Sequence, residues 1–103
     1  DRTAARRMLG LGDDTLTCVM IANLIPYKGH ADLLQALAMA RHDPPPDWCM
    51  LFAGRDDGIG AELQALGRQL DLDTHLRWLG AVQDVGPCLA AADIGILSSH
   101  EEG

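Results

Sequence analysis

"TCVMIANLIPYKGHADLLQALA", residues 17–38, opens with an unbroken apolar run and passes through Pro26 and Gly29 into a leucine-rich segment. An apolar run without polar alternation is how a strand reads when both faces of a parallel sheet are covered. Beyond the loop, Leu33, Leu34, Leu37 and Met39 or Ala40 recur near three- and four-residue spacing among strong helix formers, which predicts an amphipathic helix.

The rest of the chain repeats this unit. Further strands are expected at residues 48–54, 76–79 and 94–98, beside the first at 17–23. Helical patterns fill the intervals: "HADLLQALAMARH" (30–42), "AELQALGRQLDL" (61–72) and "DVGPCLAAA" (84–92). In the second, Leu63, Leu66 and Leu70 keep the period although Gly67 weakens it by about 1 kcal/mol. In the third, Asp84 is expected to be the N-cap. An opening helix, "TAARRMLGL" (3–11), should stop near Gly10 or Gly12. Turns fall at 12–14, 42–47 and 54–60, and Pro44 to Pro46 cannot continue a helix. Alternating strands and helices imply right-handed βαβ crossovers. The expected fold is therefore α/β, a three-layer Rossmann-like parallel sheet with strand order 3-2-1-4.

Composition agrees with one folded domain over residues 1–103. Hydrophobic residues make up 48%, enough for a core, and charged residues 22%. A net charge of −7 excludes a general nucleic-acid or anionic-membrane surface, so any bound anion must be held by a local set of donors. No apolar run is long enough to span a membrane. The N-terminal "DRTAARRMLG" lacks the apolar core of a secretory signal. Cys18, Cys49 and Cys88 are widely spaced in apolar runs and read as reduced buried thiols of a cytoplasmic protein. They form no metal-ligand spacing with His30, His42, His75 and His100, so no metal site is expected.

In sheets of this kind ligands bind outside the carboxyl ends of the strands. Asn23 to His30, Gly54 to Gly58, Gly80 to Asp84 and Ser98 to Gly103 all fall on that edge, where polar and glycine residues concentrate. Lys28 is the one lysine in a chain with seven arginines, and it stands two residues before the first long helix. It is either a solvated surface lysine or an anion contact reinforced by the helix's free N–H groups, and the arginine bias favours the second. Glu101 and Glu102 are either loop carboxylates or groups that orient hydroxyls. His30 or His100 is placed to touch substrate, and His42 and His75 read as loop and strand-entry residues. Neither a GxGxxG after the first strand nor a GxxxxGK[ST] is present. Asp56 and Asp57 read as a turn, because the other ligands of a calcium loop are missing.

Taken in order, "ANLIPYKGH", "LLQAL", "LFAG", "LRWLGAVQDV" and "AADIGILSSHEEG" resemble the C-terminal domain of GT-B fold retaining glycosyltransferases of family 4. The resemblance covers nearly the whole chain. It implies the incomplete C-terminal half of a GT-B fold, with the last part of this domain and a separate acceptor-binding domain lying elsewhere. It implies a nucleotide-sugar substrate such as a UDP- or GDP-sugar, no resident cofactor, and transfer to an acceptor glycan or lipid-linked sugar with retention. Lys28 then contacts the donor diphosphate together with Asn23, Gly29 and the Gly54 loop. Ala81, Val82 and Asp84 face the nucleobase, and Glu102 lies near the donor sugar and phosphates. The family's usual arginine at the Asn23 position is absent, so the second donor charge lacks its usual partner, for which Arg55 is a candidate.

Polysaccharide synthesis in the cytoplasm, at times peripheral to the inner membrane, is the context the resemblance implies. The chain alone is expected to be inactive and to self-associate through its fourth strand. Two other readings stand beside this one. A flavodoxin-like partner- or phosphate-binding module would share the sheet, although a receiver would need acids where Asn23 and Gly80 stand. A related GT-B enzyme such as a nucleotide-sugar epimerase would share the motifs.

Overall fold

In a computed structural model, residues 1–25, 29–40 and 47–96 are described. Their elements are α1 (Arg2–Met8), β1 (Leu16–Ile21), α2 (His30–Ala40), β2 (Trp48–Ala53), α3 (Gly60–Gln69), a 3-10 turn (Asp73–His75), β3 (Leu76–Gly80), α4 (Gly86–Ala91) and β4 (Ile94–Ile96). The four strands form one parallel sheet in the order β3-β2-β1-β4, the order expected from the βαβ repeats.

The apolar runs explain the layering. Every residue of β2 is buried, because both faces of this central strand are covered. Along β1 and β2 alternate side chains serve opposite cores. Met20, Met50 and Phe52 pack with Leu34 of α2 and Leu63 of α3. Val19, Cys49, Leu51 and Ala53 pack with Ala5 of α1 and with Cys88 and Ala91 of α4. Fully burying an aliphatic side chain is worth about 1.5–3 kcal/mol, so these two layers dominate the fold's stability. Burial also raises the pKa of all three cysteines, none of which is in a disulfide.

Several sequence expectations shift at element ends. The inner stripe of α2 is Leu33, Leu34, Leu37 and Ala38, whereas Met39 is 88% exposed and Ala40 is exposed, so the stripe turns one residue earlier than its spacing suggested. Gly67 of α3 is buried, and a Cβ there would come within 2.8 Å of Leu76 Cδ1, so the helix gives up propensity to lie close to β3. Helix α3 ends with the Leu72 N–H donating to the Gly67 carbonyl at 2.8 Å across Asp71, which takes φ 62°. That reverse turn normally uses glycine. Gly10, at φ 71°, performs it for α1.

Asp84 is not the N-cap of α4. Val85 holds that position, and the Asp84 carboxylate accepts from the Gly86 N–H at 2.9 Å.

The sequence carried no sign of one further contact. Arg6, 3% exposed, donates to the carbonyls of Gly12, Thr15 and Ala91 and to the Asp93 carboxylate at 2.9 Å. Asp93 also accepts from Arg2 and from the Thr17 N–H at 2.8 Å. A buried guanidinium is tolerable only when its donors are met, as they are here.

Candidate functional site

Beyond the carboxyl ends of β1, β2 and β3 the three segments stay stitched together. The Ala22 N–H donates to Ala53 O at 3.0 Å, the Leu24 N–H to Arg55 O at 2.8 Å, and the Gly54 N–H to Gly80 O at 2.9 Å. Gly54 is required for this closeness: a Cβ would stand 1.9 Å from the Ala22 carbonyl oxygen. Gly80, at φ 72°, turns the chain from β3 into Ala81.

These loops enclose a cleft of about 180 Å3 lined in part by Ile21, Ala22 and Ala53. Ala81, Val82 and Val85 form an apolar wall, and Asn23, Gly54 and Arg55 bring polar backbone and side chains. The Asn23 Oδ1 accepts from the Arg55 N–H at 3.1 Å, so its Nδ2 group is what it can offer a ligand. The Arg55 guanidinium grips Asp57 through two hydrogen bonds, of 2.7 and 3.2 Å. Asp56 closes the turn. Its Oδ1 accepts from the N–H groups of Gly58 and Gly60, which hold this carboxyl below the usual carboxylate range. A Cβ at Gly60 would collide with that carboxylate at 2.3 Å.

Asn23, Gly54, Ala81 and Val82, distant in sequence, thus meet in one cleft. Asp84 faces elsewhere, in a shallow groove with Asp1, Met8 and Pro87 between α1 and α4. Gly29, buried at φ 89°, leads into α2, and its carbonyl accepts from the Leu33 N–H at 2.9 Å. Lys28 and Glu102 lie outside the described residues, as do His42, His100 and Glu101. His30 is not on an open edge. It is 1% exposed, and burial lowers its pKa against an opposing pull from the Ala22 carbonyl. His75 enters β3 as expected, its Nδ1 3.0 Å from the Trp48 carbonyl and its ring stacked on Trp48.

Sequence reasoning missed Ile21, Ala22, Ala53 and Val85 as lining residues. Val85, three positions after Val82 in an otherwise polar loop, was the available signal.

Comparisons with known proteins bear on the family and the fold. The sequence pattern of the family described as "Glycosyl transferases group 1" matches residues 15–103. A D-inositol 3-phosphate glycosyltransferase from Geodermatophilus obscurus is 32% identical over 111 residues, spanning 99% of this chain and 25% of that protein. The chain therefore spans about a quarter of the length of the curated relative it matches. Among solved structures, Anabaena Alr3699/HepE in complex with UDP-glucose superposes with a TM-score of 0.78 at 25% identity, over 94% of this chain and 26% of that one. The C-terminal domain of the glycosyl transferase group 1 family protein LpcC from Francisella tularensis superposes with a TM-score of 0.78 at 22% identity, over 100% of this chain and 55% of that one. The latter likeness concerns the fold alone.

Proposed function

Because this chain belongs to the glycosyl transferases group 1 family, we propose that it is the nucleotide-sugar-binding part of a retaining family 4 enzyme of the GT-B fold. The reaction moves a sugar, hexose by preference, from a nucleoside diphosphate to an acceptor hydroxyl in polysaccharide or glycoconjugate synthesis. The acceptor is a glycan or lipid-linked sugar. The enzyme works in the cytoplasm or at the cytoplasmic face of the membrane, and needs no cofactor beyond its substrates.

One observation carries the reading: Asn23, Gly54, Ala81 and Val82, four of the eight residues expected around the donor, line a single cleft at the carboxyl ends of the strands. The apolar wall of Val82 and Val85 suits the face of a nucleobase, and the tight Ala22–Gly54 contact keeps the floor clear of side chains. UDP is the nucleotide favoured, since the HepE structure was solved with UDP-glucose.

Chemistry follows from charge. As the anomeric carbon–oxygen bond breaks, negative charge grows on the departing diphosphate. Fixed donors aimed at that charge lower the barrier in a dry cleft. The amino end of α2 supplies such donors and Asn23 Nδ2 adds an uncharged one; the family resemblance assigns Lys28 to the diphosphate and Glu102 to the donor sugar and phosphates. In the full-length enzyme Lys28→Ala is expected to reduce turnover with UDP-glucose by roughly 100- to 1000-fold. Near-normal turnover in that variant would remove Lys28 from the donor site.

A further inference from the structure

Among the nine described residues that line the cleft, Arg55 alone carries a charged side chain. Arg2, Arg6, Arg7, Arg68 and Arg77 line no part of it. The cleft's other polar side chain is Asn23. Each of the two is held by a bond that leaves further donors over. Asn23 Oδ1 accepts from the Arg55 N–H at 3.1 Å, so the Nδ2 group remains. Arg55 donates from Nε at 2.7 Å and from Nη2 at 3.2 Å to the Asp57 carboxylate, and among the described residues its Nη1 has no partner. Asp57 itself does not line the cleft.

The loop does not depend on this ion pair for its shape. The Leu24 N–H donates to the Arg55 carbonyl at 2.8 Å, and the Asp57 N–H donates to the Leu24 carbonyl at 3.3 Å. The Asp56 carboxylate closes the turn on the N–H groups of Gly58 and Gly60. An exposed pair adds little stability, and the Arg55 side chain is 67% exposed. What the pair does is restrain a long side chain that would otherwise exchange freely among rotamers, which lowers the ordering cost when a ligand arrives. A guanidinium fixed along its Nε edge and open at Nη1 suits phosphate oxygens. The apolar wall of Ala81, Val82 and Val85 lies in the same cleft, so a ligand with an apolar ring and a phosphate meets both.

We infer that Arg55 is a phosphate contact of the donor site and Asp57 its positioning residue: the carboxylate holds one edge of the guanidinium while Nη1, with Asn23 Nδ2, meets the diphosphate. The inference rests on the donor-binding reading above. It gives Asp57 a task beyond the turn that Asp56 already closes. The opposite arrangement makes an opposite prediction, because a carboxylate that merely competed with phosphate for Arg55 would weaken binding by its presence.

The test is titration of the chain with UDP-glucose and, separately, with uridine, followed by methyl resonances so that weak binding is still measured. Arg55→Gln is expected to weaken UDP-glucose binding about tenfold and to leave uridine within about twofold. Arg55→Lys keeps the charge without the fork and should fall between wild type and Arg55→Gln. Asp57→Asn should weaken UDP-glucose about threefold with uridine unchanged, and should add nothing when combined with Arg55→Gln. Arg77→Gln removes an equal charge near the start of β3, away from the cleft, and should change neither affinity. Unchanged UDP-glucose binding in Arg55→Gln, or a loss shared equally by uridine, overturns the role of Arg55 and leaves the donor reading standing. Tighter binding in Asp57→Asn, or an effect of Asp57→Asn that persists without Arg55, overturns the positioning role. A wild-type chain that binds no UDP-glucose overturns the donor reading and this inference together.

Discussion

Gly54 decides the cleft's floor at the scale of one residue. Its missing Cβ lets the chain after β2 lie against the Ala22 carbonyl, while its N–H fixes Gly80 at 2.9 Å. Adding one methyl forces the two loops apart. Gly54→Ala should lower stability by about 3 kcal/mol, and any folded remainder should bind donor weakly because the loops that line the cleft are displaced. Urea unfolding followed by UDP-glucose titration would check both parts, and a variant as stable as wild type would contradict the close approach. The glycine itself was visible in "LFAG", but not the reason for it, because a contact between residues 22 and 54 leaves no periodic trace in the chain.

At the scale of elements, the network around Asp93 joins α1, β1 and β4. The carboxyl is held below its usual range, first by the Thr17 N–H and then by Arg2. A carboxylate with a depressed folded pKa adds stability that is present above its unfolded value near pH 3.9 and is lost as pH falls through the lower folded value. Asp93→Asn should therefore cost about 1–3 kcal/mol near neutral pH, with the gap to wild type closing below about pH 4. Thermal unfolding from pH 7 to 2.5 would show it, and a gap that ignores pH would refute it. Period alone made the helices and strands legible, since apolar runs and leucine spacing report on local burial. It could not reveal that Arg6 turns inward. Arginine in a short amphipathic helix usually faces water, and the acceptors that draw Arg6 in come from residues 12 to 15 and 91 to 93. The same limit applies to Asp84, whose spacing suited a cap but whose carboxylate turns back on Gly86.

For the molecule as a whole, strand order was predictable because parallel βαβ units allow few arrangements, and the converging site residues followed from that order. Among the described residues the order also leaves β4 at the sheet's margin, paired to β1 through three residues, with Ile94 49% exposed. An unpaired strand margin is a template for another chain. The isolated chain should self-associate through it, and Ile94→Lys should weaken the association. Sedimentation showing a pure 11.1 kDa species at high concentration would contradict this.

The Arg6–Asp93 contact also has a consequence in time. Its partners are 87 residues apart, so at about 5–20 residues per second the ribosome needs roughly 4–17 s to supply the carboxylate after the arginine has emerged. Throughout that interval the guanidinium has only nearby carbonyls to hold it, and α1 waits, half anchored, until synthesis has passed the start of β4.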